Sequence, residues 1–349
     1  MPSLRMLAAL LAAAIATSAA AHHSFAPHFD SRKPVSISGK VKKFDGRNPH
    51  SYLHLEAVDE NGRTQTYICE SHGVTQLTRN GVTPAILRPG AQLRIEGSQS
   101  RNDPLRCFFT DVFLPDGRRL NVNGSGAAAE APVRTARRDI YGTWLLAPAP
   151  GRSTSGSQPM MEFLNEAGKA AVAAYDPFKD DPTFRCNPVG VRRAWGAPGT
   201  PLSITREGNR VIIRHEWMDI RRVVHLDRKE HPKDGPRSTL GHSIGHFEGD
   251  TLVIHTGNYA PGVLNQYVEQ EGQPTRGLLH SAELTTVERL SFDAARQRLV
   301  VEITPDDPGF FTRAFPSSTL EYAPSELKVE PFRCKARGVD GAEVKEKSR

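Results

Sequence analysis

The sequence predicts a mainly β protein with an N-terminal OB-like small barrel and a C-terminal antiparallel, lipocalin-like β-barrel that carries one short helix. Three observations lead to this fold class. The 349 residues are enough for two ordinary domains. Short runs that alternate apolar and polar residues recur in both halves, separated by turn signals. Between the halves, residues 123–138 are small, polar and unpatterned, which is typical of a linker.

The first predicted domain spans residues 22–122 and contains five alternating runs. They lie at 35–41, 52–58, 64–69, 92–97 and 108–114. Turn signals such as Asn61-Gly62 and Asp116-Gly117 connect them. The segment 74–87 lies between the third and fourth runs and has room for a short helix or turn, where an OB-fold places one. Five strands with this spacing predict an OB-like barrel.

The second predicted domain spans residues 139–337 and opens with Gly142-Thr143-Trp144, an entry similar to the first strand of lipocalin-type barrels. Residues 161–174 place apolar side chains at helical spacing. Three hairpin-like pairs follow, at 210–216 with 220–226, 242–247 with 251–256, and 284–292 with 298–304. These pairs predict a meander that forms a barrel or a strongly bent sheet.

The N-terminal segment has the features of an export signal. Residues 1–21 combine an early Arg5, a short apolar run and small residues, which is how a cleaved secretory signal reads. Cleavage before Ala21 or before His22 is left open. No later run is apolar over the roughly 18 residues of a membrane span, so we expect a periplasmic or secreted protein. Residues 338–349 form a charged tail.

Net charge and cysteine content further restrict the class of protein to which this chain can belong. The net charge of +6 comes from cations scattered among 39 acidic residues, which excludes a dedicated nucleic-acid binder. Four cysteines in an oxidising compartment favour disulfides. One bridge in each half is the economical pairing, although the two other pairings remain open. The cysteines are Cys69, Cys107, Cys186 and Cys334, and they lack CxxC spacing.

A first candidate site lies at the expected mature terminus. Cleavage after Ala21 would give His22 a free amine, with His23 next to it and His50 available in an Asn-Pro-His turn. An amine and imidazoles suit the tetragonal preference of Cu(II), so copper is the candidate cofactor. Cleavage one residue earlier would build a different site, from the amine, two backbone nitrogens and His23. The alternative is that cleavage merely exposes histidines at a frayed end.

A second candidate site lies in the later strands. Period-two alternation puts His242 and His246 on the same face of their strand. If the predicted barrel encloses a cavity, these histidines can line it; otherwise they point outward. With His280 and Glu283 they are the candidates for acid-base catalysis. The alternative for His280 and Glu283 is that they form cross-strand ion pairs with arginines. The accompanying candidate binding residues are Arg221, His225, Glu248, Asp250 and His255.

These sites support three hypotheses from different classes. The leading one is an exported protein that binds a small organic ligand in its second barrel, with a metal site at the mature N-terminus. An enzyme of the lyase, isomerase or hydrolase type is the first rival, and a copper-binding protein is the second. G-x-S-x-G, P-loop, G-x-G-x-x-G and H-E-x-x-H patterns are all lacking in the sequence, which disfavours common hydrolases, nucleotide-binding proteins and zinc proteases. Oligomeric state is left open.

Several short motifs also resemble a family of exported bacterial proteins without a settled function. In the first half they are 22–26 (His-His-Ser-Phe-Ala), 33–35, 48–50 and 88–90. The second half resembles a partner domain of unknown function, through 241–245 (Gly-His-Ser-Ile-Gly), 248–253 and 287–289. The chain departs from that pattern at His246-Phe247, where Arg-Trp is common, and at His255, where an acidic residue is common. Both departures add imidazoles near His242.

Overall fold

The computed structural model describes residues 28–122, 136–147, 161–176, 180–197, 199–268 and 276–336. The expected signal segment, most of the expected linker and the charged tail lie outside these ranges. The described residues form two closed β assemblies and a separate two-stranded hairpin. The predicted mainly β class is therefore confirmed.

The first assembly closes into a five-stranded ring. Its strands and helix are β1 (Phe29–Asp45), β2 (His50–Val58), β3 (Thr64–His72), α1 (Val74–Arg79), β4 (Gln92–Ser100), β5 (Arg106–Phe113) and the short β6 (Arg119–Asn121). Strand β1 pairs with both β2 and β4, β4 pairs with β5, and a parallel β3–β5 pairing closes the ring. A helix between β3 and β4 completes the arrangement expected of an OB-like barrel.

The long strand β1 makes this closure possible. Its pairing shifts register between Val41 and Lys43, so the strand bends and serves two neighbours. Gly39 permits the close approach of β2, because a Cβ there would lie only 2.3 Å from the backbone oxygen of Glu56. The alternating apolar side chains then fill the interior, where Leu53 is among the side chains with no exposed surface.

The second assembly is a closed barrel of nine strands. In chain order the strands are β7 (Gly142–Leu146), β8 (Leu202–Glu207), β9 (Arg210–His215), β10 (Ile220–His225), β11 (His242–Glu248), β12 (Thr251–Gly257), β15 (Thr285–Asp293), β16 (Arg298–Asp306) and β17 (Ser318–Pro324). The three predicted hairpins are present as β9–β10, β11–β12 and β15–β16. One pair departs from the antiparallel pattern, since β10 and β11 run parallel.

Two features outside the ring shape its surroundings. Strands β13 (Gly262–Val268) and β14 (Arg276–His280) form a hairpin of their own. Helix α2 (Glu166–Ala174) lies within the predicted helical segment, and its N-cap Asn165 accepts a hydrogen bond from the backbone of Gly168. Helix α2 contacts β14, which brings the hairpin and the helix together beside the barrel.

The barrel interior is filled by side chains. Trp144, Ile204 and Leu290 have no exposed surface, and their neighbours on the inner wall are equally buried. The short helix α3 (Val191–Trp195) adds Trp195 to the same core. The described side chains therefore fill the centre of the ring.

Both disulfides follow the economical pairing. Cys69 is bonded to Cys107 inside the first assembly, and Cys186 is bonded to Cys334 in the second half. Beyond β17 the chain returns to the first assembly, where the backbone N–H of Lys335 donates to the oxygen of Asn48 at 2.9 Å. No helix among the described residues has the length and apolar character needed to cross a membrane.

Candidate functional site

A cavity of about 380 Å³ lies beside the barrel, against the β13–β14 hairpin. Much of its wall is apolar, with Ala171 from α2, Val263 from β13 and Leu279 from β14 among the lining side chains. Two side chains with hydrogen-bonding groups, Tyr175 and His280, are also among the lining residues. An apolar pocket with a few convergent polar groups is the general form of a small-molecule site.

Tyr175 follows directly after α2, where an extended backbone ends the helix. Its ring packs on β14 because Gly277 has no side chain: a Cβ there would lie 2.5 Å from the ring. The hydroxyl oxygen is buried and has no hydrogen-bond partner among the described residues. Burial raises the pKa of this phenol, and the nearby Asp181 raises it further. Tyr175 therefore keeps its proton near neutral pH, and its hydroxyl is a hydrogen-bond donor.

His280 ends β14 and is only 3% exposed. Its Nδ1 lies 2.9 Å from the backbone oxygen of Ser281. Since a carbonyl can only accept, Nδ1 carries the hydrogen. Burial lowers the pKa of the ring, so it is neutral near pH 7 and Nε2 is an acceptor. Nε2 is turned toward Gly262 on the cavity wall, where a Cβ would lie 3.3 Å from it.

The cavity thus combines an apolar wall with the Tyr175 phenol, the neutral His280 imidazole and the Thr239 side chain. The carboxylate that also lines it, Asp180, already accepts a hydrogen bond from the backbone of Asp176 at 2.9 Å. No ion pair in the described part of the chain crosses this cavity. Its chemistry suits a neutral molecule with a hydroxyl or carbonyl group better than a charged one.

The four residues predicted to perform acid-base chemistry do not meet. His280 lines the cavity, whereas His242 and His246 lie on the outer face of β11, opposite to the inward Ser243. Glu283 is exposed in the turn before β15. His246 lies 3.3 Å from a different carboxylate, Glu248, in an exposed contact. The geometry gives this group no shared reaction site.

The predicted binding residues are also on the outside of the barrel. His225 stacks on His242 at 5.1 Å between ring centroids, and His255 stacks on His246 at 6.0 Å. Arg221, Glu248 and Asp250 are exposed, and Glu248 accepts a hydrogen bond from the Arg289 side chain at 2.8 Å. These residues cover the surface of β10, β11 and β12, so closure of the barrel selects the outward alternative for this histidine face.

The inner face instead carries a polar network that alternation alone did not single out. Arg222 donates two hydrogen bonds to Glu288, at 2.8 and 2.7 Å, deep in the core. Trp195 donates a third hydrogen bond to the same carboxylate at 2.7 Å. Ser243 accepts from the Nε–H and Nη2–H groups of the guanidinium, and Thr256 accepts from Nη2–H. Burial opposes the charge on Arg222, but Glu288 outweighs it and raises the pKa of the guanidinium. Every charged group here is satisfied internally.

In the first assembly the predicted metal ligands can be placed only in part. His22 and His23 lie outside the described residues. His50 stands directly opposite His72 across β2 and β3, and its Nδ1 lies 2.5 Å from Glu70. A second cavity, of about 140 Å³, is lined by His50 and His72 together with residues of the second half. Within the described ranges, no three His, Cys, Asp or Glu side chains converge on one metal position.

The fold and the site together define a class: an OB-like domain joined to a filled nine-stranded barrel, with an apolar cavity outside the ring. A family described as "Family of unknown function (DUF6152)" matches residues 9–106. The match ends at the first residue of β5. It confirms the resemblance of the first half to a family of unknown function, while the resemblance of the second half stays a prediction. No curated protein and no solved structure matches the chain.

Proposed function

We propose that this protein is exported and binds a small, mainly apolar organic molecule with a carbonyl or hydroxyl group in the cavity beside its second barrel. The observation that carries the proposal is the apolar cavity lined by Tyr175, whose buried hydroxyl has no hydrogen-bond partner in the described structure. A buried donor left without a partner costs about 1–3 kcal/mol, and a bound oxygen atom would remove that cost.

The size of the cavity supports this function. Its volume of about 380 Å³ falls in the range of roughly 300–1,000 Å³ that is common for ligand pockets. Two disulfides support export, because such bonds persist in oxidising compartments. The signal-like segment 1–21 points the same way. We assign the protein to the periplasm or the extracellular space on these grounds.

A matched pair of probes tests the Tyr175 contact. Acetophenone has a carbonyl oxygen that can accept from this hydroxyl, whereas ethylbenzene has nearly the same shape and no acceptor. Calorimetric titration of the full chain should show tighter binding of acetophenone by about 1 kcal/mol, or roughly fivefold. The Tyr175→Phe variant should bind both probes equally.

Tyr141→Phe is the control variant, because the Tyr141 hydroxyl is also buried without a partner among the described residues but does not line the cavity. It should keep the preference for acetophenone. Absence of binding by both probes, or a preference that survives in Tyr175→Phe, would contradict the proposal.

Copper binding at the first assembly is a second candidate function. The observation that favours it is the position of His50 opposite His72, with Glu70 next to the His50 ring. A carboxylate on one imidazole nitrogen is the usual way in which a metal-ligating ring is oriented. In this proposal His22 and His23 of the mature terminus would complete a copper site with His50.

Protein purified with its natural terminus should then carry about one equivalent of copper by elemental analysis, and His50→Ala should lose it. His54→Ala is the control, since it changes another histidine of the same strand. Metal-free native protein, or copper retained in His50→Ala, would contradict this candidate.

A further inference from the structure

Two histidines on the outer surface of the barrel face each other through the same type of nitrogen. His242 lies on β11, and His231 lies in the loop that connects β10 to β11. Their Nδ1 atoms are 2.9 Å apart. The sequence offered no reason to pair them, because the loop conformation brings His231 back over the barrel.

Both rings are held in place by their neighbours. His242 is stacked by His225 on one side, with the ring planes only 11° apart, and meets His231 edge-on at 87°. His231 lies over Gly257 of β12, where a Cβ would be 3.3 Å from the imidazole. The next residue, Pro232, accepts a hydrogen bond from Asn258 at 2.8 Å. The two nitrogens are therefore positioned by packing as well as by their mutual contact.

The spacing of the two nitrogens has a simple geometric meaning. Metal–nitrogen bonds of about 2.0 Å separate two ligands by about 2.8 Å at a right angle and by about 3.3 Å at a tetrahedral angle. The observed 2.9 Å is close to the first value and is also the length of an ordinary hydrogen bond between two ring nitrogens. Right-angled nitrogen ligands are typical of tetragonal Cu(II) and of square-planar Ni(II).

We propose that His231 and His242 form a two-nitrogen chelate for a divalent transition-metal ion, with Cu(II) preferred and water at the other coordination positions. Cu(II) is favoured because it binds nitrogen ligands most strongly in the first-row series. Without metal, one imidazole donates a hydrogen bond to the other.

The surroundings set limits on this site. No carboxylate joins the pair in the part of the chain that the structure describes, since no group of three metal-binding side chains is found there. Arg228 is close enough to interact electrostatically with His242. Burial is the main cause that lowers the pKa of both imidazoles, which keeps them neutral near pH 7, as metal ligands must be. The ion would bridge the loop to β11 and hold it against the barrel.

The test counts copper equivalents on the full chain after removal of metal with EDTA. Cu(II) is titrated by calorimetry, and electron paramagnetic resonance reports the nitrogen ligands. His231→Gln and His242→Gln should each bind one equivalent fewer than the parent protein. His246→Gln is the matched control, because it changes an exposed histidine of the same strand, and it should bind as many equivalents as the parent.

A separate variant distinguishes this site from copper at the first assembly. His50→Ala should leave the equivalent that depends on His231 and His242 unchanged. The melting temperature of each variant without metal shows whether it is folded as the parent. The proposal is overturned if His231→Gln, folded as the parent, binds as much copper as the parent, or if His246→Gln loses the same equivalent.

Discussion

Polar side chains on the inner and outer faces of strands β10, β11 and β12 have different surroundings. On the inner face, Arg222 and Glu288 bind each other, and Trp195, Ser243 and Thr256 complete their hydrogen bonds. On the outer face, His231 and His242 contact each other at 2.9 Å, and His242 Nε2 has no partner within the described residues. Charges buried in a closed interior have to be paired with each other. The neutral imidazoles of the outer face are under no such constraint.

The inner pair should give the largest effect. We expect Glu288→Leu to destabilise the protein by about 3–5 kcal/mol, because it leaves the Arg222 charge buried and unpaired. Arg222→Met combined with Glu288→Leu should recover most of that loss, since no charge is then left in the core. Urea unfolding followed by circular dichroism measures both.

The outer ion pair is the control for this prediction. Arg289 and Glu248 form a similar contact at 2.8 Å on the exposed side of the same wall. Arg289→Met should leave the unfolding midpoint nearly unchanged, because solvent already screens the pair. Equal destabilisation by Glu288→Leu and Arg289→Met would contradict the predicted difference between the inner and the outer ion pair. So would a double variant that is as unstable as Glu288→Leu.

A smaller effect is expected from pH. His215 lies inside the barrel against Trp195, and burial, with Arg222 nearby, lowers its pKa to about 3. The unfolded chain takes up a proton near pH 6.5, whereas the folded one does so only near pH 3. The unfolded state therefore binds more protons across this window, and stability falls as pH decreases.

Between pH 6.5 and 4.5 this residue alone should remove about 2 kcal/mol of stability. His215→Gln should show a correspondingly flatter decline, measured by urea unfolding at each pH. The exposed His246→Gln variant should decline as the parent does. Parallel pH profiles for His215→Gln and the parent would show that the inner histidine carries no such penalty.

The smallest effect concerns the cavity. Gly277→Ala should push the Tyr175 ring away from β14, because the new methyl group would overlap it. Displacement of the ring would remove the Tyr175 contact, which is worth about 1 kcal/mol, so acetophenone should bind roughly fivefold more weakly. Gly190→Ala is the control on the same cavity, since a Cβ there meets nothing closer than 3.6 Å. If Gly277→Ala and Gly190→Ala lost the same affinity for acetophenone, the loss could not be attributed to displacement of Tyr175.

Local patterns determined much of this fold. Alternation and turn signals located the strands of the first assembly and three hairpins of the second, because both depend on neighbouring residues. The helix between β3 and β4 and the helix α2 were likewise predicted from neighbouring residues. Cysteine count and position favoured one disulfide in each half, and these are the bonds that form.

Tertiary structure decided what lies inside and what lies outside. Period-two alternation assigns Arg222 and His242 to faces of their strands, but only closure of the ring determines which face is buried. Packing of the β13–β14 hairpin against α2 creates the cavity that joins Tyr175 to His280. A long loop brings His231 to His242. The cavity joins segments far apart in the chain, and the contact of His231 with His242 depends on how one loop folds back, so no local pattern encodes either of them. The sequence by itself determined the elements, and tertiary packing decided which polar groups can still bind a partner.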